Sequence, residues 1–189
     1  MLNNTLNEQV FQSFPKLSSE RLLYRAFEKK DATDFFSIRS NDKVMQYMDM
    51  PPLSSAEEAV NSIIENQQLY LEKKGISWAI VEKASNCLVG YFSFWKLHRH
   101  HARAEIGFAL KPEYWGKGYM KETMDCLMPF AFNDLNIHSI EANIKPLNQR
   151  SENLLVQVGF QKEGYFRENF WFNGAFHDSI IYSLLEKDL

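Results

Sequence analysis

The stretch "PEYWGKGYMKE", residues 112–122, places Gly116 and Gly118 on either side of one lysine, directly before a segment with helical periodicity. Apolar side chains at helical spacing predict a helix over residues 119–134, and "ARAEIGFAL" (102–110) predicts the strand before it. The first N–H groups of a helix are unpaired and carry partial positive charge, and glycine lets a ligand approach them closely. A strand, a glycine turn and a helix in this order therefore predict an anion site, suited to a pyrophosphate.

Two glycines before a helix are a weak signal on their own, and a loop that merely requires glycine is an open alternative. The stretch is not the dinucleotide-binding fingerprint, because the third glycine of that pattern would fall at Lys121. It is not a P-loop either, because the Gly-Lys-Ser/Thr ending is missing. The rest of the chain has to decide between a ligand site and a plain turn.

Apolar periodicity and turn residues predict further elements on both sides of this turn. Ser54 and Glu57 are spaced as a capping box at the start of a helix, and Gly75 is its predicted C-cap. Strands are predicted at 21–27, 76–83, 88–98, 102–110, 139–144, 163–172 and 176–185, and helices at 30–40, 54–74, 119–134 and 148–159. This order predicts an α/β domain of the α+β type, whose sheet of about seven strands is mixed and mostly antiparallel, with helices on both faces.

The bulk composition is that of an ordinary folded protein. Of its 189 residues 45% are apolar and 24% charged, and this length predicts a single domain. Residues 1–16 are polar and are predicted as an N-terminal arm, either loose or a short helix, before the domain (17–189). A net charge of −3 argues against a broad basic surface for nucleic acid. No apolar run approaches the roughly 18 residues of a membrane span. Cys87 and Cys126 are predicted as buried free thiols, so we expect a cytoplasmic protein.

Longer stretches carry a family resemblance. "AEIGFALKPEYWGKGYMKE" resembles the phosphate-binding motif of the GNAT superfamily of acetyl-CoA-dependent N-acetyltransferases, which is Q/R-x-x-G-x-G/A at the start of a helix. Tyr-Trp before Gly-Lys-Gly resembles the ribosomal-protein alanine N-acetyltransferase subfamily. "LSSERLLYRAFEKKDATDFF", "NQRSENLLVQVGFQKEG" and "NGAFHDSIIYSLL" are similar to its opening strand and helix, its second cofactor segment and its final hairpin. The resemblance covers residues 17–189 and implies a single GNAT-like domain.

The resemblance implies how acetyl-CoA would be held. Backbone N–H groups of the glycine turn would bind the pyrophosphate, and the end of the preceding strand would pair with the pantetheine arm like an added strand. Two asparagines of the second cofactor segment would meet the pantetheine or order the nearby loop. Lys117 could add charge near a phosphate or be a solvated loop lysine. The implied cofactor-binding residues are Phe108, Ala109, Leu110, Trp115, Gly116, Lys117, Gly118, Tyr119, Asn148 and Asn153.

Catalysis would be direct attack of an amine on the thioester. Glu105, on the strand beside the implied thioester, is the candidate general base; a plain strand carboxylate paired with Arg103 is the alternative. Ser151 is the candidate for meeting the leaving thiolate; a local hydroxyl bond on its helix is the alternative. The sequence departs from the superfamily at Glu113, where Gln or Arg is usual, and at Leu155, where many members have a tyrosine acid.

The sequence thus predicts an acetyl-CoA-dependent N-acetyltransferase that acts on a protein or peptide N-terminal amine. A small amine as acceptor, and a non-catalytic coenzyme A-binding or regulatory module, are the alternatives. The expected partners are acetyl-CoA and the amine acceptor, without nucleic acid or membrane, for a chain that is a monomer or a homodimer. No metal is expected.

Several other side chains have two interpretations. "HRHH", residues 98–101, is predicted as a solvated hairpin turn rather than a metal site, because adjacent strand side chains point to opposite faces. "ENFWFNGAF", residues 168–176, is predicted to pack in the core, with a peptide-contacting rim as the alternative. Trp78, Phe94 and Trp95 are also predicted core residues, although some of their faces could line the acceptor site. Tyr47 and Met48 are candidates for that lining.

Overall fold

A computed structural model describes residues 6–188, which fold around one eight-stranded sheet in the order β1-β2-β3-β4-β5-β6-β8-β7. Neighbouring strands are antiparallel except for β5 and β6, which are parallel. The strands are β1 Leu17–Ser18, β2 Leu22–Arg25, β3 Ile76–Glu82, β4 Cys87–His98, β5 Arg103–Leu110, β6 Ser139–Ile144, β7 Gln161–Phe172 and β8 Ala175–Leu185. The α-helices are α1 Ala32–Arg39, α2 Asp42–Met45, α3 Ala56–Leu71, α4 Tyr119–Asn133 and α5 Gln149–Val158.

The fold class predicted from the sequence is confirmed. Every predicted strand and helix has a counterpart in the structure, and the sheet is mixed and mostly antiparallel. The structure adds β1 and α2, which have two and four residues. Elements this short contain less than two full periods of side-chain alternation or helical turn, so periodicity could not reveal them.

The capping box of α3 was predicted one residue too early. Ser55, not Ser54, is the N-cap, and its hydroxyl accepts the N–H of Glu58 at 3.2 Å. The Glu58 carboxylate accepts the N–H of Ser54 at 2.7 Å. Two adjacent serines followed by two adjacent glutamates offer the same spacing twice, and the register of the helix decides between them.

The C-cap predicted at Gly75 is also wrong. The left-handed residue after α3 is Lys73, with φ +56°. Gly75 is needed for a close approach instead, because a Cβ there would lie 3.1 Å from the carbonyl oxygen of Phe94 on β4. Glycine at this position lets the chain enter β3 directly beside its partner strand.

The two faces of the sheet are covered by different helices. Phe92 and Phe94 of β4 pack with α4 and α5 in one core cluster, which also contains Trp78. The alternate residue Tyr91 contacts the second cluster, built on α1 and α3. Side chains of successive strand residues point to opposite faces. Ser93 therefore lies on the α1–α3 side, and this face carries the candidate site.

Some burial predictions are wrong. Trp95 is 39% exposed, and Trp171 and Phe176 of the last hairpin are each 60% exposed, whereas core packing was predicted. Cys87 is exposed and Cys126 half-buried, although both were predicted as buried. Trp78 and Phe94 are fully buried, as predicted. Strand periodicity alone does not show which face of an edge hairpin is left uncovered.

The described part of the predicted arm (1–16) packs against the domain, and residues 1–5 lie outside the described residues. Phe14 contacts the edge of the Trp78 ring at 5.9 Å between centroids. The indole Nε1 of Trp78 donates a hydrogen bond to the carbonyl of Pro15 at 2.8 Å. Within the described range, no helix is both long and apolar enough to cross a membrane.

Candidate active site

A gap opens between the two parallel strands at the centre of the sheet. β5 and β6 pair from Arg103 and Ser139 to Ile106 and Ala142, after which the pairing stops. β5 continues to Leu110 and stays paired with β4 on its other side. The second half of β5 therefore has one edge without a partner strand. An unpaired strand edge of this kind can bind an extended ligand through backbone hydrogen bonds.

The alternation of hydrogen-bonded residues along β5 shows which of its backbone groups face this gap. The N–H of Lys111 donates to the carbonyl of Val89 at 2.9 Å. Hydrogen-bonded pairs alternate along an antiparallel ladder, so Ala109 is also bonded to β4. The backbone groups of Phe108 and Leu110 face the gap. Of the predicted pantetheine-contacting residues, these two are placed to form backbone hydrogen bonds, whereas Ala109 can contribute its side chain.

The glycine turn lies beyond the open end of this edge. Gly116 and Gly118 have φ angles of +72° and +76°, which most residues rarely adopt. The N–H of Trp115 is used inside the turn, donating to the carbonyl of Pro112 at 3.1 Å. Among the hydrogen bonds of the described residues, none uses the backbone N–H groups of residues 116–120. These free donors at the start of the 15-residue helix α4 are the groups with which a helix N-terminus can bind an anion.

A salt bridge behind the turn holds it in place. Arg21 donates from Nη1 to the carbonyl of Lys117 at 3.0 Å and from Nε to Glu122 at 2.6 Å. Its guanidinium also lies 4.3 Å from the centre of the Tyr119 ring. Burial raises the pKa of Glu122, but hydrogen bonds from Arg21 and Ser19 outweigh it and keep that pKa below its ordinary value. Sequence reasoning missed this clamp, because Arg21 and Glu122 are 101 residues apart in the chain.

Two exposed cations lie beside the turn. The Arg150 guanidinium is 4.7 Å from the centre of the Trp115 ring, whose Nε1 donates to the carbonyl of Leu110 at 2.9 Å. Lys117 lies 5.4 Å from the Tyr114 ring and is not part of the cavity wall. Arg150 was not predicted from the sequence, although it follows the cofactor motif's Asn148 by two residues. Stacking on an aromatic ring orients the guanidinium toward the cavity.

We expect Arg150→Gln to weaken coenzyme A binding about 5- to 10-fold, the loss of one exposed charge-assisted hydrogen bond to a phosphate. The variant should also show a shallower salt dependence of Kd, because one fewer cation faces the ligand. Calorimetry at two salt concentrations measures both. Lys162→Gln, at an exposed position of β7, is the matched control. An unchanged Kd in Arg150→Gln would remove this residue from the site.

Glu105 lies in the wall of a cavity of about 980 Å³ that extends from the glycine turn to the α1–α3 face. Its carboxylate accepts a hydrogen bond from Lys96 at 2.7 Å, and its side chain is 12% exposed. The alternative partner Arg103 is instead bound to Glu141 at 2.6 Å. Lys96 has φ +49° at an irregularity of β4, which turns its side chain toward Glu105. The structure therefore pairs Glu105 with a half-exposed lysine beside the cavity.

The second cofactor segment supplies the opposite wall. The Asn148 side chain accepts the N–H of Ser151 at 3.2 Å and so caps α5, and Asn153 accepts from Gln149 at 3.0 Å. No side-chain hydrogen bond of Ser151 occurs within residues 6–188, so its hydroxyl is available to a ligand. Leu155, at the position of the family's usual tyrosine, is fully buried in the core. This position therefore has no group that can act as a general acid.

A chain of hydrogen bonds fixes the orientation of the Ser93 hydroxyl on the α1–α3 side. The Asn66 amide donates to the Ser62 carbonyl at 2.9 Å, which fixes its oxygen as the acceptor for Ser77 at 2.9 Å. Ser93 in turn donates to Ser77 at 2.8 Å. With its proton used, the Ser93 oxygen presents only lone pairs to the cavity. It lies opposite Gly107 on β5 and can accept a hydrogen bond from an incoming amine.

The structure brings nearly all predicted site residues to one cavity. Both acceptor-side candidates, Tyr47 and Met48, line it as well, and Trp95 contributes its exposed part. The predicted cofactor or catalytic residues in its wall are Glu105, Phe108, Ala109, Leu110, Trp115, Gly116, Gly118, Tyr119, Asn148, Ser151 and Asn153. Residues 98–101 form an exposed turn away from it, and no cluster of metal-binding side chains occurs in the described part of the chain.

Residues 21–161 match the family of the acetyltransferase (GNAT) domain. The match covers most of the chain and agrees with an open strand edge and a glycine turn that line one cavity. The protein is therefore an N-acetyltransferase. It belongs to the GNAT family, and the resemblance stated from the sequence is confirmed.

Relatives and a solved structure agree with this membership. The uncharacterized N-acetyltransferase YoaA of Bacillus subtilis (strain 168) is 35% identical over 173 residues, 92% of this chain and 98% of YoaA. The spermidine N(1)-acetyltransferase of Vibrio cholerae is 26% identical over 160 residues, 85% of this chain and 90% of that relative. The ribosomal protein uS5-alanine N-acetyltransferase of Escherichia coli (strain K12) is 32% identical over 83 residues, 44% and 43% of the two chains. A GNAT-family acetyltransferase structure from Bacillus anthracis has a TM-score of 0.82 and 28% identity, covering 92% of this chain and 99% of that one.

Proposed function

We propose that this N-acetyltransferase acetylates the N-terminal amine of a protein or peptide, of the ribosomal-protein alanine type, by direct attack of the amine on the acetyl-CoA thioester. The observation that supports the proposal is the single cavity that connects the glycine turn with Glu105 and Ser93. Its acceptor end is walled by segments from α2 and from the β7–β8 hairpin, which suits a chain entering from solvent. We place the reaction in the cytoplasm, and either a monomer or a homodimer could perform it.

The residues present fit acetyl-CoA, which supplies the activated acetyl group when bound. We expect the free N–H groups of residues 116–120 to hold the pyrophosphate, with Arg150 beside them. The gap-facing backbone groups of Phe108 and the N–H of Leu110 would pair with the pantetheine amides, since the Leu110 carbonyl already accepts from Trp115. Asn148 and Asn153 would border the same arm from α5. Each of these roles uses donors or acceptors that the fold leaves without a partner or places in the cavity wall.

Proton transfer is assigned to two side chains on opposite walls. Glu105 would accept the proton that the ammonium loses, directly or through one water, while Lys96 keeps the carboxylate oriented. Ser151 would donate a hydrogen bond to the departing thiolate. Ser93 would orient the amine by accepting one of its N–H groups. An α-amine suits this arrangement, because its pKa near 8 makes deprotonation easier than for a lysine near 10.4.

The proposal is tested by acceptor screening. Calorimetry with acetyl-CoA comes first, followed by release of free thiol over a panel of N-terminal peptides and small amines. Mass spectrometry of the products locates the acetyl group. Binding without thiol release on any acceptor would favour a non-catalytic coenzyme A module and contradict the proposal. Transfer to spermidine or another small amine, with no transfer to peptides, would show that the acceptor is a small amine and not a peptide N-terminus.

Ser93→Ala should raise KM for the amine about 5- to 10-fold, since it removes one acceptor for the amine N–H. KM for acetyl-CoA should not change, because Ser93 lies on the acceptor side. Initial-rate kinetics with each substrate varied in turn measure both constants. Ser37→Ala, at an exposed position of α1, is a matched control. Equal increases in both KM values would indicate a general disturbance of β4 instead.

A further inference from the structure

A single buried polar atom without a partner lies on the acceptor side of the cavity. Arg39, the last residue of α1, lines the cavity, and its Nε is the one side-chain nitrogen or oxygen among residues 6–188 that is buried without a hydrogen bond. Leaving such a donor unsatisfied costs stability. A buried guanidinium N–H without an acceptor is therefore a position that a ligand can complete.

The surroundings of Arg39 hold the guanidinium in place without neutralising it. Its Cζ is 5.9 Å from the centre of the Phe35 ring. It also lies close to the phenol of Tyr91, whose hydroxyl donates to the sulfur of Met48 at 3.5 Å. Burial raises the pKa of Tyr91, and the charge of Arg39 and its hydrogen bond to the phenol only partly oppose this. Tyr91 thus stays a neutral phenol, and among the ion pairs of residues 6–188 none involves Arg39.

Each carboxylate of the cavity wall already has an ion-pair or hydrogen-bond partner. Asp49 is bound to Lys145 at 3.0 Å, and Glu105 to Lys96 at 2.7 Å. Asp178 accepts the hydroxyl of Tyr165 and the N–H of Glu168. Asp178 alone of these carboxylates has no cationic partner, and both its oxygens already accept hydrogen bonds. An acceptor with an anionic group would find in Arg39 an arginine without an ion pair.

The register of β4 gives the distance between an anionic group bound near Arg39 and the reacting amine. Ser93, the proposed amine acceptor, and Tyr91, the neighbour of Arg39, are two residues apart on one face of the strand, roughly 7 Å. Each residue of an extended peptide spans about 3.3–3.6 Å. An anion near Arg39 would therefore lie about two residues from an amine at Ser93.

We infer that the acceptor is a peptide with an oxyanion about two residues from its reacting amine, and that Arg39 binds this oxyanion. A carboxylate or a phosphate meets the requirement, because guanidinium binds both in the same planar geometry. An acidic side chain at the second or third position of an N-terminus is the simplest source. The inference rests on the proposed function and specifies its acceptor.

The test uses peptides that differ in one group. Ala-Ala-Glu-Ala-amide and Ala-Ala-Gln-Ala-amide have the same shape, and a peptide with phosphoserine at the third position and spermidine complete the set. The protein should use the Glu peptide with a kcat/KM roughly 10- to 100-fold above the Gln peptide, as expected for a buried charge-assisted contact. Arg39→Met, which keeps the apolar stem, should use the two equally. Lys43→Met, at an exposed position of α2, should retain the preference.

Binding of the same peptides to the protein loaded with coenzyme A provides a readout without reaction. Preferential binding of the Glu peptide that Arg39→Met abolishes, without transfer from acetyl-CoA, would support Arg39 and refute the proposed function. Transfer to both peptides at equal rates would refute the role of Arg39 and leave the function standing. A preference for the phosphoserine peptide identifies phosphate as the oxyanion. A preference for spermidine, or an equal drop for both peptides in Arg39→Met, overturns the inference.

Discussion

Gly118→Val is expected to weaken acetyl-CoA binding at least about 100-fold, the largest effect among single substitutions at this site. Gly118 has φ +76°, a conformation in which a β-branched residue is strained by about 1–3 kcal/mol. Relief of this strain would turn the neighbouring N–H groups away from the pyrophosphate, and each lost bond to a charged group adds about 1.5–3 kcal/mol. Calorimetry with acetyl-CoA measures the loss.

The control has to separate the loss of the turn from a loss of stability. Gly174 has φ +81° at the tip of the last hairpin, with nothing within 4 Å of an added Cβ, and it is not part of the cavity wall. Gly174→Val should therefore lose similar stability but keep acetyl-CoA binding. Thermal unfolding of both variants checks the first point. Tight binding by a folded Gly118→Val protein would contradict the assigned pyrophosphate site.

Glu105→Gln is expected to lower kcat by roughly 10²–10⁴-fold near neutral pH, the usual contribution of a general base. The loss should shrink as pH rises. Without a base the reaction depends on the free amine, and an α-amine with a pKa near 8 is mostly deprotonated above that pH. The log of the rate in the variant should thus climb with pH up to about 8, where the wild-type rate is flatter. A pH–rate profile from 6 to 9.5 shows the difference.

The sheet itself offers a matched control for this substitution. Glu141 on β6 lies directly beside Glu105 in the parallel pair, and it too is bound to a basic side chain, but it does not line the cavity. Glu141→Gln should leave the pH–rate profile unchanged. If both variants lose activity equally at every pH, the carboxylates only support the strands, and Glu105 is not the base.

Elements with strong local signals were predicted from the sequence. Asn173 and Gly174 have φ angles of +50° and +81°, as the tight hairpin expected from this dipeptide requires. Gly159, the last residue of the helix predicted at 148–159, closes α5 in a left-handed conformation, φ +105°. The glycine turn was located in the same way. These features depend on backbone conformations that few residues tolerate, so residue type alone reveals them.

Features that depend on distant parts of the chain could not be predicted. The clamp of Arg21 on the turn, and the choice of Lys96 rather than Arg103 as partner of Glu105, both follow from strand order and register. The lone pair that Ser93 offers depends on three hydrogen bonds, one within α3, one from β3 to α3 and one from β4 to β3. The sequence around Arg39 did not predict a binding role, because a buried Nε without a hydrogen bond depends on the residues that surround it. No short motif encodes such arrangements.

The early end of the β5–β6 pairing has a consequence for the protein between catalytic cycles. An uncovered strand edge is a template for pairing with other chains, and proteins ordinarily block such edges. Here the edge at residues 107–110 lies in the middle of the sheet. Charged side chains that block pairing at this edge would also interfere with the ligand. Acetyl-CoA would then serve as the missing strand as well as the acetyl donor. The concentration of acetyl-CoA would set the fraction of the enzyme whose strand edge is covered. In a starved cell this fraction would fall, and the enzyme would resist aggregation less well.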